Sequence, residues 1–165
     1  MLLGFPALRA KIYPEQITGG SLMHNFRLVT TIRVRYAETD QMGVANNANY
    51  LTWFEVCRTE LCRNCGMPPA VWEKEGFFLP VAECGCRYRH PAVYDDLVQL
   101  WCMPEKVMPC SVTFRYRAVR ESDGCLLAEG WTKHAVTDAQ GKLVRKDNAF
   151  YRWMLDEEKK FQSEE

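Results

Sequence analysis

Positions 36 to 50 read Tyr-Ala-Glu-Thr-Asp-Gln-Met-Gly-Val-Ala-Asn-Asn-Ala-Asn-Tyr. A carboxylate, Asp40, follows a strand-like stretch. Gly43 lets the backbone turn, and a helical pattern starts just beyond it. The first N–H groups of a helix lack intrahelical acceptors, and together with the helix dipole they favour negative charge. A tetrahedral oxyanion is such a charge. A neighbouring carboxylate can attack a carbonyl or activate water. Asp40 therefore reads as a base or nucleophile beside an oxyanion site near Asn47. The same residues admit a plainer reading, in which Asp40 fixes the turn through nearby backbone N–H groups and Asn47 or Asn49 caps the helix.

Several elements must hold this loop in place. Residues 28–36 alternate, with Ile32, Val34 and Tyr36 on one side and Thr31, Arg33 and Arg35 on the other, which predicts a half-buried strand. Tyr50, Trp53, Phe54, Cys57, Leu61 and Cys65 recur at helical intervals and predict a helix about 16 residues long, left at Gly66 and barred from much continuation by Pro68 and Pro69. Period two returns over 82–89, 97–102, 112–118 and 127–136, with turns at Ser122-Asp123-Gly124 and over 138–141. One helix and about five antiparallel strands make an α+β domain over 27–155. Residues 1–26 read as a loose arm, with Met23 a second candidate start. Residues 156–165 read as a charged tail, with 156–160 in solvent. An exposed edge strand calls for a partner, so a homo-oligomer is expected.

The chain has 165 residues, 47% of them hydrophobic and 25% charged, which fits one ordinary folded domain. Its 21 basic and 21 acidic side chains balance, arguing against a generally basic nucleic-acid binder. No run reaches the roughly 18 apolar residues of a membrane helix. Arg9 and Lys11 end the opening apolar run too early for a secretory signal, so a cytoplasmic location is expected and the eight cysteines are read for a reducing compartment.

Other clusters carry two readings each. Cys62-x-x-Cys65 with Cys84-x-Cys86 supplies four thiolates for a structural zinc, or else buried apolar cysteines. Buried cysteines are the default, and no metal or cofactor is expected. Arg87, Arg89, Arg115 and Arg117 form a phosphate-binding stripe if their two strands are neighbours, or a solvated face paired with acids. Trp53, Phe54 and Trp72 line either an acyl pocket or the core.

The run 35–44, Arg-Tyr-Ala-Glu-Thr-Asp-Gln-Met-Gly-Val, followed by Asn49-Tyr50-Leu51-x-Trp53-Phe54-Glu55-x-x-Arg58-Thr59-Glu60, resembles the hotdog-fold thioesterases. The branch it looks most like is the 4-hydroxybenzoyl-CoA thioesterase type with its short-chain acyl-CoA relatives. Tyr88-Arg89-His90-Pro91-Ala92-x-Tyr94-Asp95-Asp96 is a second, supporting match, and the resemblance covers about 28–153. It implies an antiparallel sheet wrapped around a long central helix, with subunits joined sheet to sheet as a dimer or tetramer and sites at the interface. It also implies hydrolysis of an acyl-CoA or acyl-carrier-protein thioester without a cofactor.

The family's catalytic carboxylate falls on Asp40, and its backbone oxyanion donor on or near Asn47. Gly43, Asn46, Asn49, Tyr50, Arg89 and His90 are the candidate substrate-binding residues. The chain departs from two branches of the family: position 47 is Asn rather than His or Tyr, and no His stands between Met42 and Tyr50. Two routes remain for Asp40, direct attack to an anhydride or deprotonation of water. The rival readings are an acyl-carrier-protein thioesterase of the same fold and a non-catalytic acyl-CoA binding module.

Overall fold

The computed structural model describes residues 25–163. The arm and second start expected before Asn25 lie outside the described residues. Five antiparallel strands form one sheet in the order β1-β3-β4-β5-β2. They are β1 (Arg27–Arg33), β2 (Val81–Tyr88), β3 (Leu97–Met108), β4 (Ser111–Arg120) and β5 (Leu126–Ala135). The expected fold class is thus observed: a sheet wrapped on a long helix, α1 (Asn47–Asn64). Strands β1 and β2 are the two edges.

The core lies between α1 and one face of the sheet. Val98, Leu100 and Cys102 of β3, Phe114 and Tyr116 of β4, and Ala128, Thr132 and His134 of β5 are all buried, as alternation along each strand requires. Tyr50, Trp53, Phe54, Cys57, Leu61 and Cys62 of α1 close over them. Phe54 stacks on Tyr116 with ring centroids 4.7 Å apart. Burying one such side chain is worth about 1.5–3 kcal/mol. Gly130 of β5 lies directly under Phe54, where a Cβ would collide with the ring. The absent side chain is what lets the helix come this close.

The structure corrects several expectations. Strand β1 ends at Arg33, and the chain winds into a 3-10 turn (Tyr36–Glu38). Val34 stays buried, but Tyr36 is 79% exposed, because Glu38 accepts from the Arg35 N–H and curls the chain away from the sheet. The helix cap is Asn46, whose Oδ1 accepts from the Ala48 N–H at 3.0 Å, not Asn47 or Asn49. Pro69 starts a further short helix, α2 (Pro69–Lys74), since proline suits the first helical position, where an N–H has no partner in any case.

The charged end, 156–160, lies within a third helix, α3 (Ala149–Ser163), where Asp156, Lys159 and Lys160 do stand in solvent but Glu157 is buried. Phe150, Met154, Glu157 and Phe161 of α3 are buried. Their helical spacing is interleaved with Asp156, Glu158, Lys159 and Lys160, which mask it in the sequence. The α3 helix packs along β3, and Trp72 of α2 meets Phe150 edge-on at 5.3 Å. Among the described residues no helix is long and apolar enough to cross a membrane.

Candidate active site

The chain from Thr39 to Ala45 forms a closed loop. Thr39 pairs with Ala45, the Asp40 N–H donates to the Val44 carbonyl at 2.9 Å, and the Gly43 N–H returns to the Asp40 carbonyl at 2.9 Å. Gly43 takes φ +75°, a left-handed conformation that costs glycine least, and a Cβ there would meet open space. Within this loop Oδ1 of Asp40 accepts from the Met42 N–H at 2.8 Å. The turn-fixing role is therefore present. It uses one carboxylate oxygen, and Oδ2 has no hydrogen-bond partner among the described residues.

The loop runs directly into α1. The Asn46 N–H donates to the Glu38 carbonyl, and the Asn49 N–H to the Asn46 carbonyl. The Ala48 N–H is taken by the Asn46 side chain. The Asn47 N–H, at the first helical position, meets no acceptor among the described residues. It is an open donor at the positive end of an 18-residue helix dipole.

The two sequence motifs meet here. The Ala45 N–H donates to the Ala92 carbonyl at 2.8 Å, and Val44 pairs with Val93. The segment carrying Ala92 and Val93 is clamped in turn by Arg120, which donates to the Pro91 carbonyl at 2.6 Å and to Asp96 at 3.1 Å. Tyr88, at the end of β2, donates its hydroxyl to the Asn47 carbonyl at 3.0 Å. Burial and the adjacent Cys86 thiol push the Tyr88 phenol up to about 12, so it remains a neutral donor.

The candidate substrate residues take distinct places. Asn46 caps α1, and Asn49 donates its amide to the Glu38 carbonyl at 2.8 Å. Tyr50 is buried, and its hydroxyl accepts from the Ala92 N–H at 3.3 Å. Arg89 pairs with Glu129, and Nδ1 of His90 stands 2.9 Å from the Leu126 carbonyl. Asp40, Gly43, Asn46 and Asn47 are thus gathered at one helix start. Arg89 and His90 follow Tyr88 on the chain leaving β2.

Sequence reasoning missed Glu38 and the hydroxyl of Tyr88. Both sat inside the quoted motifs, but nothing local showed that Glu38 is buried or that Tyr88 reaches across to α1.

The arginine stripe is interrupted. Strands β2 and β4 are not neighbours, because β5 lies between them and places Glu129 opposite both Arg87 and Arg117. Arg115 pairs with Glu105 at 2.8 Å. These residues line a cavity of about 560 Å³ on the sheet face away from α1, not at Asp40. Cys62 and Cys65 lie at the end of α1, and Cys84 and Cys86 on the edge strand β2. Among the described residues no three His, Cys, Asp or Glu side chains gather as a metal site. Trp53 and Trp72 belong to the core.

Comparison with known proteins adds the context. Residues 42–127 match the description "Thioesterase superfamily", a span that begins just past Asp40. The chain is 33% identical over 129 residues to a putative acyl-CoA thioesterase, YneP, of Bacillus subtilis, covering 78% of this chain and 93% of that one. Among solved structures, hypothetical protein TT1821 from Thermus thermophilus is 36% identical with a TM-score of 0.73, over 79% of this chain and 99% of that one. The DHNA-CoA thioesterase from Staphylococcus aureus is 32% identical with a TM-score of 0.73, over 81% of this chain and 89% of that one.

Proposed function

The chain belongs to the thioesterase superfamily, and from that premise we propose that it hydrolyses an acyl-CoA thioester to the free acid and CoA. One observation supports this above the others: a carboxylate with a free oxygen, Asp40, stands in a loop bonded to the start of α1, where the Asn47 N–H is open.

The thioester carbonyl sits with its oxygen toward the Asn47 N–H. Asp40 then acts by one of two routes. It takes a proton from water, whose oxygen bonds to the carbonyl carbon, or it bonds to that carbon itself. Either attack pushes an electron pair onto the carbonyl oxygen, and the Asn47 N–H and helix dipole hold that charge. Collapse breaks the carbon–sulfur bond, and CoA leaves as thiolate, which in the water route takes the proton from Asp40 and restores the carboxylate. After direct attack, water cleaves the resulting anhydride and regenerates Asp40. The loop carries no imidazole, so in the water route Asp40 itself takes the proton. The exposed side chain of Asn47 orients the water or the carbonyl. Gly43 turns the backbone that carries Asp40; Asn46, Asn49 and Tyr50 hold the floor of the site, and Arg89 and His90 bind the CoA portion.

We place the protein in the cytoplasm as a homo-oligomer, dimer or tetramer, in which a second copy adds to the open edge of β2. That edge and the neighbouring helix surface expose Val81, Tyr88, Leu51 and Val56. Light scattering of the purified chain tests the assembly.

Thiol release from short, long and aromatic acyl-CoAs by wild type and Asp40→Ala tests the function. General-base contributions of about 10²–10⁴-fold set the loss expected in the variant. Equal activity in both proteins removes Asp40 from the chemistry. Inactivity of both, with CoA still bound, favours a carrier-protein substrate or a binding module.

A further inference from the structure

Glu38 is a buried carboxylate that the chemistry above leaves unused, and it is 5% exposed. Its Oε2 accepts from the Arg35 N–H at 2.8 Å. Its Oε1 accepts from Arg35 Nη2 at 2.9 Å and from Trp53 Nε1 at 3.1 Å. Burial pushes its pKa up, but the hydrogen bonds from Arg35 and Trp53 outweigh that and hold it below the usual carboxylate value. Its backbone carbonyl accepts twice more, from the Asn46 N–H at 2.8 Å and from Asn49 Nδ2 at 2.8 Å.

One residue thus ties three pieces together: the end of β1 through Arg35, the first turns of α1 through Trp53 and Asn49, and the helix cap through Asn46. Asp40 lies two residues along the same chain. The bonds also decide which donor stays open. The Asn46 N–H is consumed by Glu38, and those of Ala48 and Asn49 by Asn46, which leaves the Asn47 N–H.

We propose that Glu38 is a positioning residue: its carboxylate, held by Arg35 and Trp53, fixes in place the backbone carbonyl to which Asn46 and Asn49 donate, and so sets the separation and orientation of Asp40 and the Asn47 N–H. The inference rests on the hydrolase reading for its effect on rate, while the lock itself is a claim about the chain alone.

Glu38→Gln preserves volume but turns an NH2 group toward one of the N–H donors that the carboxylate accepts. Full-length wild type and variant are compared in kcat, KM and backbone amide exchange at 45–49. A misplacement near 1 Å can cost about 10²-fold, so kcat is expected to fall roughly 10–100-fold with KM within about threefold. Amide exchange at Asn46 and Ala48 accelerates relative to the core strands. A lower melting temperature with kcat per folded molecule unchanged means that Glu38 only stabilises the fold, and it overturns the proposal. If Glu38→Gln does not fold, Trp53→Phe removes a single donor. A several-fold fall in kcat at constant KM then supports the proposal, and an unchanged kcat overturns it. If wild type releases no thiol from any acyl-CoA, the hydrolase reading fails and amide exchange still decides the lock: local acceleration supports it, and exchange like wild type overturns it.

Discussion

The Tyr88 hydroxyl donates to the Asn47 carbonyl at 3.0 Å, joining the edge strand β2 to the first residue of α1. The two residues are 41 positions apart, so the bond is tertiary. Tyr88 also meets Tyr50 edge-on at 5.2 Å, and Tyr50 stacks obliquely on Trp53 at 4.5 Å. Strand edge and helix start are therefore joined by a hydrogen bond and a ring contact. Tyr88→Phe keeps the ring contacts and removes the hydroxyl, with its bond to Asn47 and its contact with Cys86. Chemical denaturation should show a loss of about 0.5–1.5 kcal/mol. A loss well above that range would mean that the ring contacts had changed too.

Gly130 sits under Phe54 and close to the Gly85 carbonyl, so Gly130→Ala forces a methyl group into occupied space. Overpacking of this kind costs about 1–3 kcal/mol. Urea unfolding measures it, and Phe54→Leu in the same chain should recover part of the loss. No recovery would place the strain at the Gly85 backbone instead of the ring.

His134 is fully buried, with Nδ1 2.9 Å from the Leu79 carbonyl and Nε2 2.8 Å from Thr132 Oγ1 and 3.2 Å from Arg58 Nη1. With Nδ1–H donating to Leu79, Nε2 accepts from Arg58, and the imidazole is neutral. Burial, then the Arg58 charge, lowers its pKa from 6.5 to about 4. The unfolded chain binds this proton first as pH falls. The stabilisation is therefore complete above pH about 6.5 and is lost progressively down to about 4, a span worth about 3 kcal/mol. Denaturation midpoints at pH 7.5, 6 and 4.5 should fall accordingly. His134→Gln should flatten that fall, and an equally steep fall in the variant would assign it to other groups.

Much of the candidate site was legible in the sequence. Asp40, Gly43 and the paired Asn46-Asn47 are close in sequence, and turn chemistry and helix starts are local, so spacing alone predicted a carboxylate beside a helix N-terminus. The strand alternation and the apolar stripe of α1 were legible for the same reason, since side-chain period reports which face is buried. Helix α3 was not, because its buried residues alternate with charges and its burial comes from packing on β3.

By itself, then, the sequence determined the local chemistry: one carboxylate, one glycine turn, one helix start, and an α+β pattern of strands around a helix. Only the tertiary structure decided what depends on distant residues meeting. It set β5 between β2 and β4, so that Glu129 faces Arg87 and Arg117 and breaks the basic stripe. It buried Glu38 against Trp53, 15 residues away, making a motif carboxylate into an internal acceptor. It brought Ala92 against Ala45 and Tyr88 against Asn47. Spacing along the chain records none of these, because each is set by which strand lies beside which and by how closely the helix approaches the sheet.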